Sequence, residues 1–278
     1  MVVLKTDGAI SFPLDRLRPE VRDLASKLQN FVREFCEPAE VAYENHMAGR
    51  SGRERWVLDA VSPCIEELKR VAQSLGLWNL FLTVHNRIPD TLLKSLHPSV
   101  ATRIVPSIYL TTEEYGILCE IMGRSFLTPE ACNCSAPDTG NMEVLLKHGS
   151  LEQQQRYLVP LLEGKIRSCF LMTEPDVSSS DALNIQSRLT KLPSTTEHGT
   201  TEVKYILNGR KWWSTGAMDP RCEVALVLAK LEPSPSSSTT TSLAHQHQQH
   251  TVVIVPMKSK GVSLVSKITI NPILNSLL

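Results

Sequence analysis

The stretch CFLMTEPDVSSSD, residues 169–181, decides how the second half of this chain is read. Residues 166–172 are a short apolar run without a helical stripe, which suits a buried strand. Pro175 then keeps Glu174 extended, so the chain leaves the sheet as a loop. Such a loop exposes backbone N–H groups beside the Thr173 hydroxyl, and both can hydrogen-bond a flat heteroaromatic edge. The three acids, Glu174, Asp176 and Asp181, oppose a pyrophosphate cradle, which wants glycines and a basic residue. A calcium loop would need a glycine and spaced oxygens that are missing. The plainer alternative has Ser178, Ser179 or Ser180 capping a following helix, and on the residues alone it is preferred.

Downstream, residues 203–207, Asn208-Gly209 and residues 210–215 read as a hairpin, because Asn-Gly suits the positive φ of a type I′ turn. Strand alternation would put Lys211, Trp213 and Thr215 on one face and Trp212 on the other. A Trp ring beside a Thr hydroxyl makes a stacking wall with a hydrogen-bonding group. A buried core Trp beside a surface Thr is the better reading of that pair alone. Residues 223–231 and 251–256 are further strands. Between them, residues 232–250 are rich in Pro, Ser, Thr, Gln and His, and predict a disordered surface insertion.

Upstream of 165 the period is helical. Val21, Leu24, Ala25, Leu28, Phe31, Val32 and Phe35 form one stripe, with a stop at Pro38. Ile65, Leu68, Val71, Ala72 and Leu75 form a second, with Gly76 as its stop. Thr111 and Glu114 make a capping box before Tyr115, Leu118, Cys119 and Met122, and Ser150 and Gln153 make another. Residues 141–147 stop near Gly149, and residues 150–162 stop at Gly164. The pattern predicts an α+β chain: a helical domain over 1–165 and a β domain over 166–278, with the insertion at 232–250.

The 278 residues suffice for two modest domains, and 42% apolar with 21% charged residues suits a globular chain. A formal net charge of zero argues against nucleic acid and acidic membranes as partners. No apolar run is long enough to be a transmembrane segment, and no targeting signal is visible. Seven cysteines, with no CxxC pair, read as free thiols. His245, His247 and His250 lie in the polar insertion and read as solvated, and Cys132, Cys134 and His148 are too irregular for zinc, so no metal is assigned.

Three stretches together resemble the acyl-CoA dehydrogenase family: APDTGNMEVL (136–145), GSLEQQQRYLVPLLEGKIRSCFLMTEPDVSSSDALNI (149–185) and YILNGRKWWSTGAMDPRC (205–222). The extra residue in the Thr-Glu-Pro loop and the double Trp followed by Ser resemble members ten and eleven. The resemblance implies a helical N-terminal domain followed by an antiparallel, barrel- or sandwich-like middle domain. It implies FAD as cofactor, contacted by Phe170, Met172 and Thr173, with Ser180 near both the flavin and the acyl-CoA substrate. Trp213 and Thr215 would pack on and hydrogen-bond the flavin near N5, with Ser214 between them. The implied reaction is α,β-dehydrogenation of acyl-CoA thioesters in fatty acid β-oxidation, with electron-transferring flavoprotein as electron acceptor. Homo-oligomers and a mitochondrial or peroxisomal location are implied as well.

After residue 265 the sequence departs from the family pattern, and the C-terminal helical domain that carries the base glutamate has no counterpart. No catalytic base is therefore assigned, and activity is expected to be impaired. Surfaces that such a domain would bury are expected to leave a poorly stable chain unless a partner covers them, because apolar burial is the main stabilising term. A monodisperse, cooperatively melting monomer would contradict that expectation. The alternative is a non-catalytic fragment that binds a full-length acyl-CoA dehydrogenase subunit or other partner. A weaker one is an α+β ligand-binding module without flavin.

Overall fold

Pro38 does not end the first helix. The computed structural model describes residues 14–192, 195–197, 200–232 and 250–265, which divide into two compact units between Ile166 and Arg167. In the first unit, α1 (Pro19–Phe31) buries Val21, Leu24, Ala25, Leu28 and Phe31, the stripe its period predicts. A π turn, Val32–Cys36, then leads into α2 (Glu37–Met47), with Pro38 in its first turn. The Glu37 N–H reaches back five residues to Val32 O. That wider turn gives the pyrrolidine ring room it would lack against a carbonyl four residues back. It also rotates the register, so Val32 and Cys36 are buried while Phe35 is exposed.

α3 (Pro63–Ser74) buries Ile65, Leu68 and Ala72, and stops at Gly76 with φ +74°. The short α4 (Asp90–Lys94) and α5 (Pro98–Ile104) follow. α6 (Thr112–Met122) opens with the predicted capping box. Its buried face is Glu114, Ile117, Leu118, Ile121 and Met122, rotated from the predicted stripe, and Cys119 is exposed. Arg18, the residue that opens α1, sets that face by gripping both Glu114 oxygens at 2.8 Å. α7 (Thr128–Ala131) precedes α8 (Asp138–His148), which stops at Gly149. The Ser150–Gln153 capping box opens the last run: α9 (Leu151–Gln153), a π turn (Gln154–Leu158) and α10 (Val159–Leu162). The carbonyls that end α10 are satisfied from outside the helix. Trp78 Nε1 and Asn79 Nδ2 donate to Leu162 O, and Asn133 Nδ2 donates to Leu161 O.

The second unit is built on one long strand. β1 (Arg167–Leu171), β2 (Arg188–Lys191), β5 (Tyr205–Asn208), β6 (Cys222–Leu231) and β7 (His250–Pro256) form a sheet, while β3 (Thr195–Glu197) and β4 (Thr200–Glu202) pair separately. β1 and β2 share one edge of β6, both parallel to it, and β7 runs antiparallel along the other edge from Val224↔Pro256 to Lys230↔His250. Val224, Ala225 and Leu226 are all fully buried, so both faces of β6 are covered, which accounts for its continuous apolar run. Cys169, Ala217, Cys222, Ala225 and Val227 form a core cluster, packed by Leu171, Leu207, Val255 and Met257.

Helices first and strands second is the architecture observed. The pairing departs from an antiparallel barrel or sandwich: the sheet is mixed and, among the described residues, does not close. Alternation marks a strand but not its direction, and parallel neighbours need a long crossover. Residues 172–221 supply that crossover between β1 and β6.

The predicted hairpin is absent. β5 pairs back onto β2, from Lys191↔Tyr205 to Arg188↔Asn208, and residues 209–215 form no strand. Gly209 serves space rather than a turn: a Cβ there would lie 2.1 Å from Ser187 Oγ and 2.9 Å from Ser187 Cα. Gly209→Ala should therefore lower stability by about 1–3 kcal/mol, read as a shift of the urea midpoint. An unchanged midpoint would show that Ser187 can move aside freely.

Only the ends of the predicted 232–250 insertion are described; residues 233–249, with His245 and His247, lie outside the described residues. Among the described residues no group of His, Cys, Asp or Glu could hold a metal ion. All seven cysteines are free thiols. No helix among the described residues is long and apolar enough to cross a membrane.

Candidate functional site

Glu174 is the pivot of the second unit's loops, and it is only 4% exposed. Its Oε1 accepts from Ser187 N at 2.9 Å, Ser187 Oγ at 2.6 Å and Lys211 Nζ at 2.8 Å. Its Oε2 accepts from Gln186 N at 2.5 Å. Lys211, with 8% of its side chain exposed, also donates to Met172 O at 2.9 Å. The next residue, Trp212, donates its backbone N–H to Thr173 O at 3.0 Å. One carboxylate thus ties residues 172–174, 186–187 and 211–212 together. Burial alone would raise the Glu174 carboxyl, but the Lys211 ammonium, the Ser187 hydroxyl and the two amides outweigh it and hold it at about 2. Burial pulls the Lys211 ammonium below its usual range, against the opposing pull of Glu174.

Sequence reasoning missed this pivot because it grouped Glu174 with Asp176 and Asp181 as loop charge. Glu174 beside Pro175, fixed in extended form at a strand end, was a usable signal for the carboxylate, but nothing in the sequence marked Lys211, which follows Arg210, as its partner.

Phe170 is exposed on the face of β1 opposite Cys169 and Leu171, and Met172 and Thr173 are half-buried just beyond the strand. Residues 209–215 are not a strand, so the one-face argument for Trp213 and Thr215 lapses. They come together instead through a turn, in which Thr215 N–H donates to Trp213 O at 3.2 Å and Ser214 Oγ donates to Trp212 O at 3.4 Å. Trp213 has φ +52°, and its ring meets that of Trp212 edge-on at 5.9 Å. At 48% exposure Trp213 is not a core residue. The Thr173 and Thr215 hydroxyls have no hydrogen-bond partner among the described residues. Ser180 stands apart on an exposed turn, its Oγ 3.0 Å from Ser178 Oγ. The serine-cap reading fails: the short 3-10 turn Ala182–Asn184 begins at Asp181, and no side chain caps it. Asp181 Oδ2 accepts from Asn184 Nδ2 at 2.5 Å.

The arrangement offers two exposed indoles, Trp212 and Trp213, and two unpaired hydroxyls on neighbouring loops, backed by a buried ion pair. It can stack on a planar ring and hydrogen-bond the ring's polar rim.

Residues 169–271 match the family model described as acyl-CoA dehydrogenase, middle domain. Acyl-CoA dehydrogenase family member 10 of Mus musculus is 39% identical over 263 residues, which cover 95% of this chain and 21% of that protein. A solved Mycobacterium abscessus protein assigned to the acyl-CoA dehydrogenases is 36% identical with a TM-score of 0.64, over 88% of this chain and 52% of that one. An acyl-CoA dehydrogenase from Bacillus anthracis, solved in complex with FAD, shares the fold at a TM-score of 0.54 and 20% identity, over 93% of this chain and 35% of that one. The chain spans about half, or less, of the length of these relatives.

Proposed function

The chain is a homologue of the acyl-CoA dehydrogenases over 95% of its length, and from that premise we propose that it forms the flavin-facing part of an FAD-dependent acyl-CoA dehydrogenase. The observation that carries this reading is the unpaired Thr173 and Thr215 hydroxyls beside the exposed Trp213 ring. A flavin has a flat apolar face and a rim of nitrogens and oxygens, so the fit is chemical as well as familial. FAD, when bound, supplies the hydride acceptor for α,β-dehydrogenation of an acyl-CoA thioester. Trp213 would stack on the ring, Thr173 and Thr215 would donate to its rim, and Ser214 would shape the turn between them. Phe170 and Met172 would line the approach along β1, and Ser180, on its own exposed turn, would serve the thioester by family resemblance alone.

Glu174 is not the base that removes the α-proton. It is already an ionised acceptor of four hydrogen bonds and takes up no proton near neutral pH. With no base assigned, the chain alone is proposed to be catalytically impaired. The reading extends to fatty acid β-oxidation in mitochondria or peroxisomes, with electron-transferring flavoprotein as acceptor and assembly as a homo-oligomer; the family resemblance is its support.

The test is the visible absorption of the full chain after FAD is added and free flavin is removed by desalting. A retained flavin spectrum is expected. Acyl-CoA turnover with an artificial electron acceptor then measures how much catalysis remains. A colourless chain would overturn the reading.

A further inference from the structure

The Glu174–Lys211 pair joins two stretches 37 residues apart in sequence. We infer that Lys211 and Glu174 are the positioning residues of the proposed flavin site, fixing the loop that carries Thr173 against the turn that carries Trp213 and Thr215. This inference rests on the flavin reading above.

Three observations support it. Lys211 Nζ makes two bonds of different kinds, one to the Glu174 carboxylate and one to Met172 O, the carbonyl immediately before Thr173. The ammonium is therefore aimed at the site wall as well as at its ion-pair partner. Next, the Trp212 N–H donates to Thr173 O, so residues 211–212 splint residues 172–173 at two successive carbonyls. Finally, Trp213 comes directly after them with φ +52°, a left-handed conformation that a bulky side chain keeps only when its surroundings hold it. Lys211 and Glu174 are almost wholly buried, so any effect they have on a ligand passes through Thr173, Trp213 and Thr215. An ion pair that merely stabilised the fold could be exchanged for apolar side chains of similar volume with little loss. A positioning pair could not, because the bond to Met172 O would go with the ammonium.

The experiment uses the full chain, FAD as the probe, flavin fluorescence quenching for affinity and thermal unfolding for integrity. The double variant Glu174→Gln with Lys211→Met removes both charges together. It is expected to unfold cooperatively near the wild-type temperature, yet bind FAD about ten- to a hundredfold more weakly, the scale seen when residues that orient a ligand's direct contacts are removed. The visible band of the flavin that does bind should shift. Lys211→Arg keeps the charge against Glu174, and so guards against a double variant that does not fold. Its planar fork cannot reproduce the compact two-point contact, so FAD affinity should again fall while the melt holds. Wild-type affinity and an unshifted band in either folded variant would overturn the positioning role and leave the flavin reading intact. A wild-type chain that retains no FAD would overturn both.

Discussion

Glu174→Ala should destabilise the second unit by about 3–5 kcal/mol, a large share of the net stability of about 5–15 kcal/mol that a domain has. The truncation leaves the Lys211 ammonium buried without its carboxylate, and leaves the amides of Gln186 and Ser187 without an acceptor. Urea unfolding followed by tryptophan fluorescence reads the loss, with Trp212 and Trp213 as the second unit's reporters beside Trp56 and Trp78 of the first. A midpoint unchanged in Glu174→Ala would mean that the pair carries no net stabilisation. Acid gives a second view of the same group. Its carboxyl sits at about 2 in the folded chain against an ordinary 4.5. A depressed value means stabilisation that is fully present above the unfolded value and fades as pH falls from about 4.5 toward about 2, worth about 3 kcal/mol in all. The wild type should therefore lose stability across that window, and Glu174→Gln should lose less.

Trp213→Ala should weaken FAD binding by about five- to a hundredfold, the equivalent of the 1–3 kcal/mol that stacking of a heteroaromatic ring on an aromatic side chain contributes. Stability should change far less than affinity, because the indole is half exposed in the free chain. Trp213→Gly separates two effects. It removes the same ring but accepts φ +52° without strain, so it should unfold at a higher urea concentration than Trp213→Ala, by about 1 kcal/mol, while binding FAD as poorly. Equal FAD affinity in Trp213→Ala and wild type would remove the ring from the site.

Much of the fold was legible because it rests on local chemistry. The α1 and α3 stripes, the capping boxes at Thr111 and Ser150 and the stops at Gly76 and Gly149 each depend on residues within a turn or two of one another. The strand before Thr173 was legible for the same reason. The expectations that failed depended on partners far along the chain. Asn208-Gly209 carries a turn signal, yet Gly209 is there to let Ser187 approach, and β5 pairs with β2 rather than with residues 210–215. The Pro38 stop failed because a π turn, which no short-range pattern announces, changed the helix's bonding just before the ring. Within the candidate site, the residue types at Thr173, Trp213 and Thr215 suggested ring recognition. The turn that presents them, and the carboxylate that ties their loops together, are tertiary facts. A lone Glu and a lone Lys 37 positions apart carry no mark of being partners.

The register of β6 and β7 has a use beyond the fold. Lys230 and His250 face one another across the two strands, so the chain leaves the sheet and returns to it at adjacent points. Polypeptide added at such a junction costs only the closing of a longer loop, about 0.6 kcal/mol for each doubling of its length. The junction is thus a natural splice point. A fluorescent reporter, an affinity handle or a whole foreign domain could be grafted there, and lineages could lengthen or trim the segment, provided the Lys230 N–H keeps its bond to Ser187 O, because Ser187 is also a partner of Glu174.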